Sequence, residues 1–145
     1  GRGVNLLDVN LLIGLCDADH QHHAIAKAWF RAHSAAGWAT CPLTENGLLR
    51  VMGSPSYPAG LGSPAAVLPL LKRLRSLPAH QFWPDAVSLA ESEAVPSLAG
   101  ISPRQMTDLY LLALAVSRGG RLVTLDARID ADWIPGGSRA LWLIG

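Results

Sequence analysis

Apolar runs too short for anything but strands recur along this chain, and segments of helical period separate them. Such runs span Val4–Leu7, Trp38–Cys41, His80–Trp83, Arg121–Leu125 and Ala140–Ile144. Between them, helical spacing covers Val9 to about Cys16, His22–Ala36, Pro42 to about Met52, and Pro64 to about Leu77 behind a Ser63 N-cap. Ser102-Pro103-Arg104-Gln105 has the form of a capping box and opens a last helix that runs to Gly119. A strand followed by a helix and then another strand forms a crossover unit, and such units build parallel sheets covered on both faces. The expected fold is therefore α/β, a three-layer α/β/α sandwich with a mainly parallel central sheet.

Gly53–Ser63 is rich in glycine, proline and serine and reads as a loop. Pro84–Ile101 carries no clear period, and Pro135-Gly136-Gly137 reads as a turn before the last strand. No repeat or linker divides the 145 residues, which are set out as a single domain over 4–145. Residues 1–3, Gly-Arg-Gly, lack an initiator Met and any cleavage pattern and are expected to be an expression remnant.

Asp8, Arg50, Asp108 and Arg118 break every apolar run before it reaches the roughly 20 residues a bilayer needs. Two cysteines, Cys16 and Cys41, are too few for a disulfide framework or a four-thiolate zinc site. Their apolar settings fit reduced core thiols in a cytoplasmic protein. A formal net charge of +1 does not by itself mark a partner of nucleic acid or membrane.

The acidic residues are more informative. Asp17, Asp19, Asp85, Glu91, Glu93, Asp130 and Asp132 lie where water would reach them, but Asp8, Glu45, Asp108 and Asp126 sit in apolar frames. Taking a carboxylate out of water costs several kcal/mol unless something compensates. Asp8 and Asp126 directly follow strands, at the edge where parallel sheets bind ligands. Glu45 and Asp108 fall in opening turns of helices that start at the same edge. Singly, each has an ordinary explanation as a helix cap, a turn residue or a first-turn acid. Together they are expected to converge, and hard divalent cations such as Mg²⁺ or Mn²⁺ are the ions that take oxygen ligands of this kind.

The residues Leu6-Leu7-Asp8-Val9-Asn10, Thr44-Glu45-Asn46 with Arg50-Val51, Thr107-Asp108-Leu109 and Thr124-Leu125-Asp126 occur in an order and spacing that resembles PIN-domain ribonucleases, most closely the VapC toxins of bacterial toxin–antitoxin pairs. The resemblance covers essentially the whole chain apart from Pro84–Ile101. It implies an endoribonuclease in which Asp8, Glu45, Asp108 and Asp126 hold Mg²⁺ or Mn²⁺ and serve catalysis. It further implies Asn10 and Thr107 as helpers, Asp130 as an outer acid, a homodimer, and a VapB-like antitoxin whose tail covers the acidic groove. RNA is repelled by such a groove, so Arg50, Arg104 and Arg128, near the acids in sequence, are expected to hold it.

Other features receive plainer readings. His20, His22 and His23 lack a second ligand cluster, and capping of the following helix explains them better than zinc or nickel. Trp29, Trp38, Trp83, Trp133 and Trp142 have apolar neighbours and are expected in the core or an interface. Two other classes stay open at this point. A haloacid-dehalogenase-like phosphatase would use Asp8 as nucleophile, although Asn10 stands where its second acid belongs. A non-enzymatic partner-binding domain would tolerate loss of all the buried acids.

Overall fold

The computed structural model describes residues 3–58, 60–91 and 93–145, so Gly1 and Arg2 of the expected remnant lie outside the described residues. The strands are β1 (Asn5–Leu7), β2 (Trp38–Thr40), β3 (His80–Phe82), β4 (Arg121–Thr124) and β5 (Leu141–Leu143). All pair in parallel, in the order β3-β2-β1-β4-β5. The helices are α1 (Val9–Cys16), α2 (His23–His33), α3 (Pro42–Met52), α4 (Pro64–Arg75), α5 (Met106–Ser117) and α6 (Gly137–Ala140).

Successive strand residues point to opposite faces, and this splits the interior into two cores. Leu6, Ala39 and Leu122 pack with α5 and with Ile129, Ile134 and Ala140 on one side. Leu7, Trp38 and Val123 pack on the other with Leu11 and Leu12 of α1, Leu48 of α3 and Val67 of α4. The expected three-layer sandwich is therefore present. Helix α5 buries Leu109 and the run Leu111–Ala115, because it is covered on its outer side as well. Among its described residues Pro84–Ile101 forms no regular element, yet Trp83, Val87, Leu89 and Val95 from and beside it close over this core.

Details depart from the sequence expectation at the chain's local irregularities. The capping box at Ser102 opens a 3₁₀ turn, Pro103–Gln105, and the α-helix begins only at Met106. His22–Ala36 likewise ends in a 3₁₀ turn at Ser34–Ala36. The Pro135–Gly137 turn is followed by the short α6, which takes Ala140 out of the last strand.

Trp29, Trp38 and Trp83 are buried as expected, and Trp133 and Trp142 are partly so. Both thiols are free, and burial pushes each up to about 11, so neither is a ready thiolate. Among the described residues no helix is long and apolar enough to cross a membrane.

With β1 central and its neighbours β2 and β4 reached in opposite directions along the sheet, the order reverses between β1 and β4. The crevice of an open parallel sheet lies at that point, beyond the carboxyl ends of the two strands.

Candidate active site

Asp8 is the first residue beyond β1, and its backbone N–H continues the ladder by donating to Val123 O at 3.0 Å. It is also the N-cap of α1: Oδ1 accepts from the Val9 N–H at 2.8 Å. The other oxygen, Oδ2, accepts from the Thr124 hydroxyl at 2.7 Å. The residue is only 4% exposed. Burial raises its pKa above the ordinary carboxylate value despite both hydrogen bonds, and the charge of Asp126 adds to the rise. One carboxylate thus both caps α1 and ties β1 to β4.

Thr124, the last residue of β4, joins the two strand ends. While its hydroxyl donates to Asp8, the same oxygen accepts from the Asp126 backbone N–H at 3.0 Å. Asn10, in the first turn of α1, closes the arrangement: its Nδ2 reaches Thr124 Oγ1 at 3.5 Å and its Oδ1 faces the Leu125 N–H at 3.4 Å. Asp126 is gripped by Arg128, whose Nε and Nη2 donate to its two oxygens at 3.0 and 2.9 Å. That pairing holds the Asp126 pKa below the usual carboxylate range. The Arg128 side chain is 91% exposed, so it can swing away at little cost.

Asp108, in the first turn of α5, supplies the third carboxylate. Burial, then the charges of Asp8 and Asp126, push its pKa up to about 6, and Arg128 offsets only part of this. Asp108, Asp126, Arg128, Arg104 and Trp133 line a cleft of about 300 Å³. Beyond Asp126 and Arg128 a second hollow of about 260 Å³ is bounded by Asn10, His20 and His22.

Glu45 has partners of its own. It lies in the first turn of α3, but α3 follows β2, on the side of β1 away from β4. There Arg75 Nη1 contacts both of its oxygens at 3.1 and 3.2 Å, and the Thr40 hydroxyl donates to Oε2 at 2.6 Å. Glu45 and Arg75 line a groove of about 590 Å³ between α3 and α4. Of the four expected acids, Asp8, Asp108 and Asp126 lie near enough for their charges to act on one another, while Glu45 is engaged by Arg75 and Thr40.

The remaining expected site residues are placed unevenly. Arg104 and Arg128 line the cleft, whereas Arg50 is exposed near the end of α3, over a turn past Glu45, and is not among the residues that line it. Thr107 is exposed beside Asp108. Asp130 caps the 3₁₀ turn Ala131–Trp133 by accepting the Asp132 N–H at 2.8 Å, which accounts for it locally. Side-chain capping of α2 by the histidines is not observed: His22 is the N-cap but makes no side-chain cap bond. His23 Nδ1 instead lies 2.7 Å from Gly14 O, and the Asp17 carboxylate binds the Tyr57 hydroxyl at 2.7 Å. Thr124, Thr40, Arg75 and His80 were not singled out by sequence reasoning. A hydroxyl two residues before Asp126, at a strand end, was the available signal for Thr124; the others are remote in sequence from what they touch.

The trio suits a divalent cation. Its donors are hard carboxylate oxygens, and burial, with mutual repulsion added to it, raises the Asp8 and Asp108 pKa values, a cost that a bound cation would offset. Among the described residues no three metal-ligating side chains stand close enough to share an ion as placed. Release of Asp126 from the exposed Arg128 would free both of its oxygens for one.

The PIN domain family model matches residues 6–131. The chain is 42% identical over 134 residues to ribonuclease VapC44 of Mycobacterium tuberculosis, covering 92% of this chain and 94% of that one. It is 44% identical to ribonuclease VapC39 of the same organism over 86% of this chain and 89% of the relative, and 46% identical to VapC38 over 86% of each. In fold it resembles the crystal structure of M. tuberculosis VapC20, a Sarcin-Ricin loop cleaving toxin, with a TM-score of 0.64 and 16% identity over 90% of this chain and 96% of that one. The strand order, the acids at the switch point and these likenesses agree: the chain belongs to the PIN-domain family, in its VapC branch.

Proposed function

We propose that this protein is a metal-dependent endoribonuclease that hydrolyses RNA phosphodiester bonds, and that it is the toxin of a toxin–antitoxin pair acting on translation or growth. The observation that carries the reading is the trio Asp8, Asp108 and Asp126 at the sheet's switch point, with the Asp108 pKa pushed up to about 6 by burial and by the other two. Its VapC relatives, named as ribonucleases, support it.

Asp8, Asp108 and Asp126 would hold Mg²⁺ or Mn²⁺, with Glu45 as a further ligand or water-orienting group. When bound, such an ion supplies an acidified water and neutralises charge on the phosphate oxygens. Thr124 fixes the Asp8 carboxylate, and Asn10 braces Thr124. Arg128 balances the charge of Asp126 and is free to turn to a phosphate, with Arg104, which lines the same cleft, as a second contact. Thr107 and Asp130 would have outer roles, and Arg50 would meet only a longer strand of RNA. A VapB-like antitoxin, a homodimeric state and a cytoplasmic site of action follow from the same reading.

Incubation of the purified protein with total bacterial RNA in Mg²⁺, Mn²⁺ or EDTA, beside Asp8→Asn, tests it. Discrete fragments that need metal and vanish in the variant are expected. Fragments from Asp8→Asn at the wild-type rate would reject the assignment, and phosphate-ester hydrolysis without RNA cleavage would favour the phosphatase.

A further inference from the structure

His80 is half-buried at the start of β3, and nothing derived so far uses it. Its Nε2 lies 2.8 Å from Thr40 Oγ1, at the end of β2. Thr40 is fully buried, and the same hydroxyl oxygen lies 2.6 Å from Oε2 of Glu45. The His80 ring is confined on its other side by Trp38, 4.7 Å between centroids, and that indole is itself pinned by its N–H to Pro78 O at 3.0 Å.

Counting protons along this chain fixes its direction. Glu45 is ion-paired with Arg75, so its carboxylate accepts and cannot donate. A hydroxyl carries one proton, and Thr40 must spend it on Glu45; the alternative sets two oxygens 2.6 Å apart with no hydrogen between them. The Thr40 oxygen then has only lone pairs left for His80. Nε2 of the ring must therefore carry a proton and donate it. Burial first, and Arg75 second, lower the His80 pKa, so at neutral pH the ring is uncharged and has a single N–H to place.

We propose that His80 is a positioning residue: as the Nε2–H tautomer it orients the Thr40 hydroxyl, which in turn holds the Glu45 carboxylate in place at the margin of the cleavage site. The role in cleavage rests on the ribonuclease reading; the hydrogen-bond order does not. Glu45 is thereby held from two sides, by Arg75 at the exposed end and by the Thr40–His80 chain from within the sheet. The arrangement gives one carboxylate a defined direction, whereas an arginine pair alone, half open to water, would let it wander.

Two measurements test it. Long-range ¹H–¹⁵N correlation of the imidazole rings in the metal-free wild type, with the His80 signals assigned by their loss in His80→Gln, should show the proton on Nε2; a proton on Nδ1 overturns the proposal without reference to activity. In RNA cleavage, His80→Gln places an amide N–H near the Nε2 position and should keep kcat within about twofold, whereas His80→Leu should lower kcat by about tenfold at little changed KM, the scale of a slightly misplaced group. Thr40→Val should show the same loss, and adding His80→Leu to it should cost nothing further. An active wild type with an indifferent His80→Leu, or no rescue by His80→Gln, overturns the positioning role alone. A wild type that cleaves no RNA overturns the ribonuclease reading and the role in cleavage with it.

Discussion

The Thr124 hydroxyl donates to Oδ2 of Asp8 at 2.7 Å, across the seam between β4 and β1, and it does so with no exposure to solvent. Because the same oxygen accepts the Asp126 N–H, one buried atom sets the relative position of both strand-end acids. Thr124→Val keeps the shape and removes the donor, leaving a buried carboxylate oxygen unpaired. We expect a loss of about 1–3 kcal/mol in unfolding free energy at neutral pH, read from denaturant midpoints. Cleavage should fall with it, and Thr124→Ser should restore both. Unchanged stability in Thr124→Val would show that Asp8 does not depend on this bond.

Much of this architecture is legible in the sequence because its causes are local. A strand run that ends in Asp8, or a helix that opens on Thr107-Asp108, is written within a few residues, and the alternation of such units dictates a parallel sheet. Sheet order is not local. That β2 and β4 flank β1 on opposite sides sets Glu45, on the helix after β2, among partners of its own although it shares the sequence signature of the other acids. Arg75 lies 30 residues from Glu45, and His80 lies 40 from Thr40. No spacing rule connects such pairs, and only the packing of α4 and β3 beside α3 and β2 brings them together. Pro84–Ile101 was opaque for another reason: it is held by side chains set into the α5 core, and a segment fixed by tertiary contact needs no period of its own.

The trio gives stability a pH dependence whose sign can be stated. The Asp108 pKa is raised from 3.8 to about 6, so the folded protein holds that proton more tightly than the unfolded chain does. Its contribution is complete below about pH 4 and is lost as pH rises through about 6. Asp8 is raised as well and acts in the same direction, while Asp126, lowered by Arg128, loses its contribution only as pH falls. In EDTA, unfolding free energy should drop by about 1 kcal/mol between pH 4 and 7 on account of Asp108, a value discounted because the group is half open to water. Asp108→Asn should remove most of that slope, and Mg²⁺ or Mn²⁺ should stabilise the wild type most at the upper end. A metal-free wild type with the same pH slope as Asp108→Asn would contradict the raised pKa.

Arg104 and Arg128 predict a salt signature. Both line the cleft, and a side chain that neutralises one RNA phosphate releases a counterion on binding. In the Asp8→Asn background, where RNA is bound without being cut, Arg104→Ala should weaken binding alike for different single-stranded sequences. It should also reduce the slope of log K against log salt by about 1, or slightly less for a single strand. Arg50→Ala, away from the cleft, should leave the slope of a short oligonucleotide unchanged. Equal effects of the two substitutions would place the RNA elsewhere.

Gly119 and Gly120 separate two kinds of glycine requirement in consecutive residues. Helix α5 ends in a Schellman motif: Gly120 N–H bonds Ala115 O at 3.0 Å, Gly119 N–H bonds Val116 O at 3.1 Å, and Gly119 takes a φ of +67° with open space where a Cβ would go. Gly119→Ala should therefore cost only the backbone penalty, about 1 kcal/mol. At Gly120 the obstacle is contact, because a Cβ there would run into the Val4 carbonyl oxygen and would stand 2.9 Å from the Trp83 ring. Neither can withdraw without shifting β1 or the core, so Gly120→Ala should cost more, about 3 kcal/mol or above. Gly120 also sets where β4 starts against β1, with Arg121 opposite Asn5 and Val123 opposite Leu7, the register that brings Thr124 to Asp8. Gly120→Ala should therefore impair cleavage even at temperatures where it stays folded, and Gly119→Ala should not. Equal denaturant midpoints for the two variants would refute the contact argument.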